Sequence, residues 1–207
     1  MAVRTRQRLI DAAKRRFYHD GFRNVGIDAV LTDVGISKAA FYKIFESKDD
    51  LMIAVLDDVD GFLQKQFRQM VRERGGRSAE GQLRVVLDVV KQIMEAEDFH
   101  GCIFVNAAIE FPLRHDPAHE AALRHKRGLE DFFYELGERA GAADPGGLAQ
   151  ELSMVIEGAY ITRALTGEAA TIGTARRLVD QIILRQLPVK NTRPRGRKAS
   201  ENSSFRA

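Results

Sequence analysis

The sequence predicts an all-helical protein, and three observations carry that prediction. Apolar residues recur at three- and four-residue spacing through almost the whole chain, as in Leu9, Ile10, Ala13 and Phe17. No run of alternating apolar residues at strand spacing interrupts the pattern. Breaks fall at Gly21, Gly35, 75–76, Pro112, 141–145 and Gly167, which divide the chain into helix-sized pieces. With 207 residues, 44% of them hydrophobic, there is enough apolar material for a sizeable core.

The first helix is predicted over 5–20, with Gly21 as its stop. Two short helices follow, over 28–34 and 38–45, separated by Gly35-Ile36-Ser37. Gly35 supplies the positive backbone angle such a turn needs, and Ser37 supplies an N-cap. Ile27, Val30, Leu31, Val34, Ile36, Phe41 and Phe45 form an apolar set able to hold a small three-helix unit together. Ser47 caps the next helix, and Asp50 three positions later can return a bond as in a capping box. That helix carries Leu51, Val55, Phe62 and Phe67 and fades at 74–76. Further helices are predicted over 79–97, 101–111, 117–140, 146–166 and 169–187. Beyond Pro188 the chain is polar, basic and almost without apolar residues, so residues 189–207 read as a disordered tail.

Charge is segregated along this framework. Residues 1–48 hold ten basic and five acidic side chains, residues 49–188 sixteen and twenty-three, and residues 189–207 six and one. The net charge of +3 therefore hides two basic ends around an acidic body, a distribution suited to a polyanion at the ends. A single cysteine, Cys102, excludes an internal disulfide framework. No apolar stretch is long enough to cross a bilayer, and the first residues contain no signal-peptide segment, so a cytoplasmic protein without a membrane partner is expected. No glycine-rich phosphate loop or nucleophile elbow is present, which argues against an enzyme and against a cofactor. His115 and His119 lie four apart, but Pro117 starts a helix with Asp116 as its cap. The two imidazoles then share no regular helical face, and no metal site is predicted.

Two short helices joined by a glycine-containing turn are the geometry that sets a second helix into the DNA major groove. Lys38, Ala39, Tyr42 and Lys43 remain for the outer face. Ala39 and Ala40 permit close approach, Lys38 and Lys43 can meet phosphates or guanine edges, and Tyr42 offers a ring and a hydroxyl.

The stretch Gly21-Phe22 and then Gly35-Ile36-Ser37-Lys38-Ala39-Ala40-Phe41-Tyr42-Lys43-Ile44-Phe45-Glu46-Ser47-Lys48-Asp49-Asp50-Leu51 resembles the DNA-binding domain of the tetracycline-repressor (TetR) family. That family's pattern reads Gly-Val-Ser-Lys-Gly-Thr-Leu-Tyr-x-Tyr-Phe-x-Ser-Lys-Glu-x-Leu. The resemblance implies a nine-helix, all-α plan. A helix-turn-helix domain would span 1–48, and a helical effector-binding and dimerisation domain would span 49–188. It further implies a homodimer that places two recognition helices in successive major grooves of a palindromic operator. By motif match, Ser37, Lys38, Ala39, Ala40, Tyr42 and Lys43 fall on the recognition helix and Lys48 falls where the family meets phosphate. Gly26 stands where the family often has a phosphate-binding hydroxyl, and Ile44 stands where an aromatic or His is usual. Both departures remove hydrogen-bonding groups; Arg4, Arg6, Arg8 or the basic tail are the candidates to compensate.

In the body, the last two helices resemble the pair that forms a four-helix bundle across the family's dimer interface. The segment 99–112, with a Gly-Cys start and an apolar helix bearing Asn and Glu, resembles a recurring pattern in such regulators. Cys102, Asn106 and Ile109 share one helical side, with Glu110 adjoining and Phe99 near the start. Phe132, Phe133, Tyr134, Met154 and Tyr160 are candidate further walls. This set suits a small, mainly apolar effector carrying a donor group. Asn106 and Glu110 have a second reading as internal hydrogen-bonding groups. Cys102 likewise reads either as a buried small residue or as a reactive thiol. The combined reading is a ligand-responsive transcriptional repressor. Its alternatives are a sequence-independent, architectural DNA-binding protein and a thiol or electrophile sensor acting through Cys102.

Overall fold

The computed structural model describes residues 2–187; the predicted tail at 189–207 lies outside the described residues. Nine α-helices follow one another: α1 (Ala2–Asp20), α2 (Ile27–Val34), α3 (Lys38–Phe41), α4 (Lys48–Gly75), α5 (Ala79–Met94), α6 (Ile103–Glu110), α7 (Pro117–Ala140), α8 (Pro145–Thr166) and α9 (Ala170–Gln186). No strand occurs among the described residues, in agreement with the all-helical expectation.

Local chemistry sets the boundaries. The Ser37 hydroxyl accepts the Ala40 N–H (3.2 Å), and the Ser47 hydroxyl accepts that of Asp50 (3.0 Å). Asp50 returns its bond to the Glu46 N–H (3.0 Å), one residue earlier than an ideal capping box. Asp116 accepts from Ala118 ahead of Pro117, and Asp144 accepts from Gly147 ahead of the last two helices. Gly35 closes α2 at φ 70° and donates to Leu31 and Thr32 carbonyls.

The third helix is shorter than the predicted 38–45. Regular α geometry ends at Phe41 and the chain continues as a turn through Ile44. The Ile44 N–H bonds to the Phe41 carbonyl (2.8 Å), the tighter i to i−3 pattern. This brings Phe45 inward, where it stacks 5.7 Å from Phe41.

Apolar burial falls into two clusters. The first joins α1–α3 to the start of α4 through Leu9, Phe17, Leu31, Phe41, Leu51 and Leu56, and extends to Phe104 of α6 and Ala118 of α7. The second fills the body with Leu83, Leu87, Phe133, Leu136, Leu152 and Ile183, among others. Helix α4 runs unbroken from one cluster to the other, so the head and body share a structural member.

Candidate DNA interface and ligand cavity

The α2–turn–α3 unit shows a buried and an exposed side. Val30, Leu31, Val34 and Phe41 are buried, whereas Ser37, Lys38, Ala39, Tyr42 and Lys43 face solvent and Ala40 is half-buried. Tyr42 is the largest of these, with 57% of its surface exposed although its ring lies edge-on to buried Phe41. Lys38 leans back onto α2 and pairs with Asp28 at 2.9 Å; that hydrogen bond raises its ammonium above the ordinary lysine range. Gly26 is exposed at the N-terminus of α2, where no side chain caps the helix. Lys48 is half-buried and reaches the Arg23 carbonyl at 3.5 Å.

Two arginines of α1 brace the unit. Arg8 donates to the Val34 carbonyl (2.6 Å), satisfying an orphan acceptor at the end of α2. Arg16 holds Asp33 through two bonds, 2.5 and 2.8 Å, and the carboxyl is thereby lowered below its usual range. Arg6 lies 5.2 Å over the Phe45 ring.

Behind the head lies a cavity of about 750 Å³ between α1, α4, α6, α7 and parts of α5 and α8. Its aromatic lining is Tyr18, Phe62, Phe67, Phe104, Phe132 and Tyr160. Its polar lining is mostly paired. Lys126 binds Glu157 at 2.7 Å and Glu130 at 3.4 Å. Burial pulls its ammonium down, but the two carboxylates outweigh burial and hold it above the ordinary range. His125 binds Asp60 of α4 at 2.6 Å while its ring stacks on Phe104 at 3.8 Å. Cys102 is half-buried at the N-cap of α6, and burial pushes its thiol up, only partly offset by the Val105 and Phe104 N–H groups. Burial raises Tyr160 as well.

Helix α6 forms one wall of this cavity and is fastened to α1 near its start and to the turn after α1 at its end. The Tyr18 hydroxyl accepts the His100 N–H (2.9 Å) and donates to the Gly101 carbonyl (3.0 Å). The Glu110 carboxylate accepts the Phe22 and Arg23 N–H groups at 2.9 and 2.7 Å, and its carbonyl accepts Arg23 Nε at 2.8 Å.

A braced helix-turn-helix ahead of a helical body with a large internal cavity is a recognisable arrangement, and the sequence comparisons agree with it. The family model described as bacterial regulatory proteins, tetR family, matches residues 9–55. A second, tetracyclin repressor-like C-terminal domain, matches residues 79–179. The solved structure of SCO4454, a TetR-family transcriptional regulator from Streptomyces coelicolor, is 30% identical with a TM-score of 0.81. That match covers 87% of this chain and 94% of SCO4454. A TetR-type regulator from Streptomyces avermitilis is 31% identical with a TM-score of 0.70, covering 86% of this chain and 97% of that one. The HTH-type transcriptional regulator YjdC of Escherichia coli is 23% identical over 182 residues, 86% of this chain and 93% of YjdC. The chain belongs to the TetR family. It is a DNA-binding transcriptional regulator, and its relatives are regulators rather than enzymes.

Within this TetR-family regulator, the residues proposed from sequence as effector walls divide into two groups. Cys102, Tyr160 and Ile109 line the cavity, Ile109 at its exposed rim, and Phe132 joins them. The other six stand outside it. Phe99 packs behind Tyr160 at 5.5 Å. Asn106 donates to the His100 carbonyl (3.3 Å), and Glu110 is committed to the Phe22–Arg23 turn, so both follow the internal hydrogen-bonding reading. Phe133 is fully buried in the body core, and Met154 points away with 72% exposure. Tyr134 is also on the outside, bonded to Glu138 (2.9 Å). His119 Nδ1 lies 3.1 Å from the Phe111 carbonyl, and no group of three or more His, Cys, Asp or Glu among the described residues is arranged to hold a metal ion. Sequence reasoning missed Tyr18, Arg23, Asp60, His125 and Lys126. Asp60 and His125 are 65 residues apart, so no local spacing announces their pairing.

Proposed function

We propose that this regulator binds a palindromic operator as a homodimer, acts as a repressor, and is released by a small, mainly apolar effector entering the cavity. The carrying observation is the 750 Å³ aromatic-lined cavity walled by α6, a helix tied at both ends to the DNA head. Ser37, Lys38, Ala39, Ala40, Tyr42 and Lys43 meet the major groove, with Gly26 and Lys48 on the flanking phosphates. Cys102, Ile109 and Tyr160 touch the effector.

Dimerisation is supported by an uncovered apolar face. Met154, Gly158, Ile161 and Leu165 share one side of α8, and Leu178 and Leu184 of α9 are exposed as well. A second copy laid against this face would build the four-helix bundle expected from the sequence. DNA as partner implies a cytoplasmic location. No helix among the described residues is long and apolar enough to cross a membrane. The thiol-sensor alternative loses support because burial disfavours the Cys102 thiolate, the reactive form.

The test is fluorescence anisotropy on the DNA immediately upstream of the protein's own gene, with excess unrelated competitor DNA. Dimeric, competitor-resistant binding supports a specific regulator. Loss of all binding to competitor, there and across a genome-wide selection of bound fragments, would favour the architectural alternative.

A further inference from the structure

His125 brings to the cavity an acceptor with no protein partner among the described residues. His125 Nδ1 is 2.6 Å from the Asp60 carboxylate, which only accepts, so Nδ1 carries a proton. Asp60 is fixed in turn by Gln64 Nε2 at 3.0 and 3.1 Å. In the neutral ring the lone pair is then on Nε2, and no hydrogen bond to it occurs among the described residues. Phe104 covers one face of the imidazole nearly parallel, at 7°, which fixes the ring plane. The cavity that His125 lines is aromatic on most sides.

We propose that the effector is an aromatic compound carrying an acidic hydroxyl, a phenol, whose O–H donates to His125 Nε2. This rests on the effector-cavity reading above and narrows it. A carboxylate is the competing chemistry, and the charge pairing disfavours it. Lys126 is already neutralised by Glu157 and Glu130, and Arg68 is held by Glu135 and the Gly128 carbonyl. Asp60 offsets any charge on His125. Lys14 stands over the Phe62 ring, itself more than half exposed, and Arg15 of the same lining is exposed, so these two cations belong to the open side of the cavity. A buried carboxylate would therefore meet no free interior cation, whereas a neutral donor needs only the acceptor that Nε2 offers. The aromatic body matches a lining that includes the rings of Phe67, Phe104 and Phe132. The hydrogen bond from ligand to His125 continues to Asp60, on the helix that enters the DNA head.

The test uses the full chain, three probes of one shape and equilibrium dialysis at pH 8. The probes are 4-phenylphenol, 4-methoxybiphenyl and biphenyl-4-carboxylate. The expected result is 4-phenylphenol binding about tenfold tighter than its methyl ether, as one added hydrogen bond to a buried acceptor provides. His125→Phe keeps the ring stack on Phe104 and should bring phenol and ether within about threefold of each other. The wild-type comparison is decisive by itself should that variant fail to fold. Equal binding of phenol and ether overturns the proposal while leaving an apolar effector cavity intact. Tightest binding by the carboxylate overturns it in favour of anion recognition. No binding by any probe overturns the aromatic ligand altogether, and operator binding then judges the regulator reading independently.

Discussion

Replacing Glu110 by Ala removes the fastening between the end of α6 and the turn after α1. Two charge-assisted bonds disappear, from Phe22 N–H at 2.9 Å and Arg23 N–H at 2.7 Å. In a fully buried setting such bonds contribute about 1.5–3 kcal/mol each. Here the Arg23 bond is exposed and the Phe22 bond only partly buried, so water replaces much of the lost interaction. We therefore expect a loss of about 1–2 kcal/mol for the pair. The Arg23 bond to the Glu110 backbone carbonyl survives the substitution. Glu110→Gln keeps one accepting oxygen and should show roughly half the effect. Hydrogen exchange is the appropriate assay, because it reads the two donors directly. Protection at the Phe22 and Arg23 amides should fall by about 5–30-fold, with α8 and α9 unaffected. Gly21→Ala should act in the same direction. Its backbone sits at φ 84°, and an added Cβ would stand 3.2 Å from Glu110 Oε1. Unchanged exchange at both amides, or fraying centred on α8 and α9, would refute the role assigned to Glu110.

Other consequences can be checked separately. Tyr42→Ala and Lys43→Ala should weaken operator binding at least tenfold without changing the oligomeric state by light scattering; both side chains are exposed and neither is part of a core. Phe133→Ala should cost about 3–5 kcal/mol in urea unfolding, since the ring is completely buried in the body rather than on the cavity wall. Iodoacetamide should modify Cys102 more slowly than free cysteine at pH 7.5, because burial raises the folded thiol. The same raised value means the folded state holds its proton more tightly than the unfolded chain. The associated stability is present below the ordinary thiol range and declines as pH rises through and above it, which a series of unfolding curves from pH 7 to 10 would detect.

Much of the fold is legible because its signals are local. Ser37, Ser47, Asp116 and Asp144 each sit two or three residues from the N–H they cap, and Gly35 closes α2 where the periodicity stops. Element ends are less legible where a core residue competes with helix geometry, as Phe45 does when it turns inward and shortens α3. The head was equally readable, since buried and exposed residues alternate within fifteen positions. The cavity was not. Its polar groups meet across α4, α7 and α8, and pairs such as Asp60–His125 and Lys126–Glu157 leave no trace in a linear pattern. Asn106 and Glu110 illustrate the converse difficulty. A helical wheel puts them beside Cys102, but free hydrogen-bonding partners in the 100–101 turn and the Phe22–Arg23 turn claim them first.

The position of α6 bounds how strongly an effector could act in the proposed reading. This helix has eight residues, about 12 Å of rise, so displacement of its middle moves both ends together. Phe104, Val105 and Ala108 present this helix to the cavity, while Tyr18 at one end and the Phe22–Arg23 turn at the other belong to the head. A ligand that forces Phe104 away from His125 must therefore shift the end of α1 or break these bonds. If the bonds hold, the strain is delivered to the head; if they break, the coupling is limited to what they were worth. Driving a head from 99:1 in favour of one arrangement to the reverse requires about 5.5 kcal/mol of differential affinity. The Glu110 bonds, at about 1–2 kcal/mol, are too weak to transmit that alone. The Tyr18 bonds and the burial of Phe104 and Ala107 in the cluster shared with the head must carry the remainder. Glu110→Ala should accordingly reduce, and not abolish, the mutual weakening of effector and operator. The same factor must appear whether DNA is titrated with effector present or effector with DNA present.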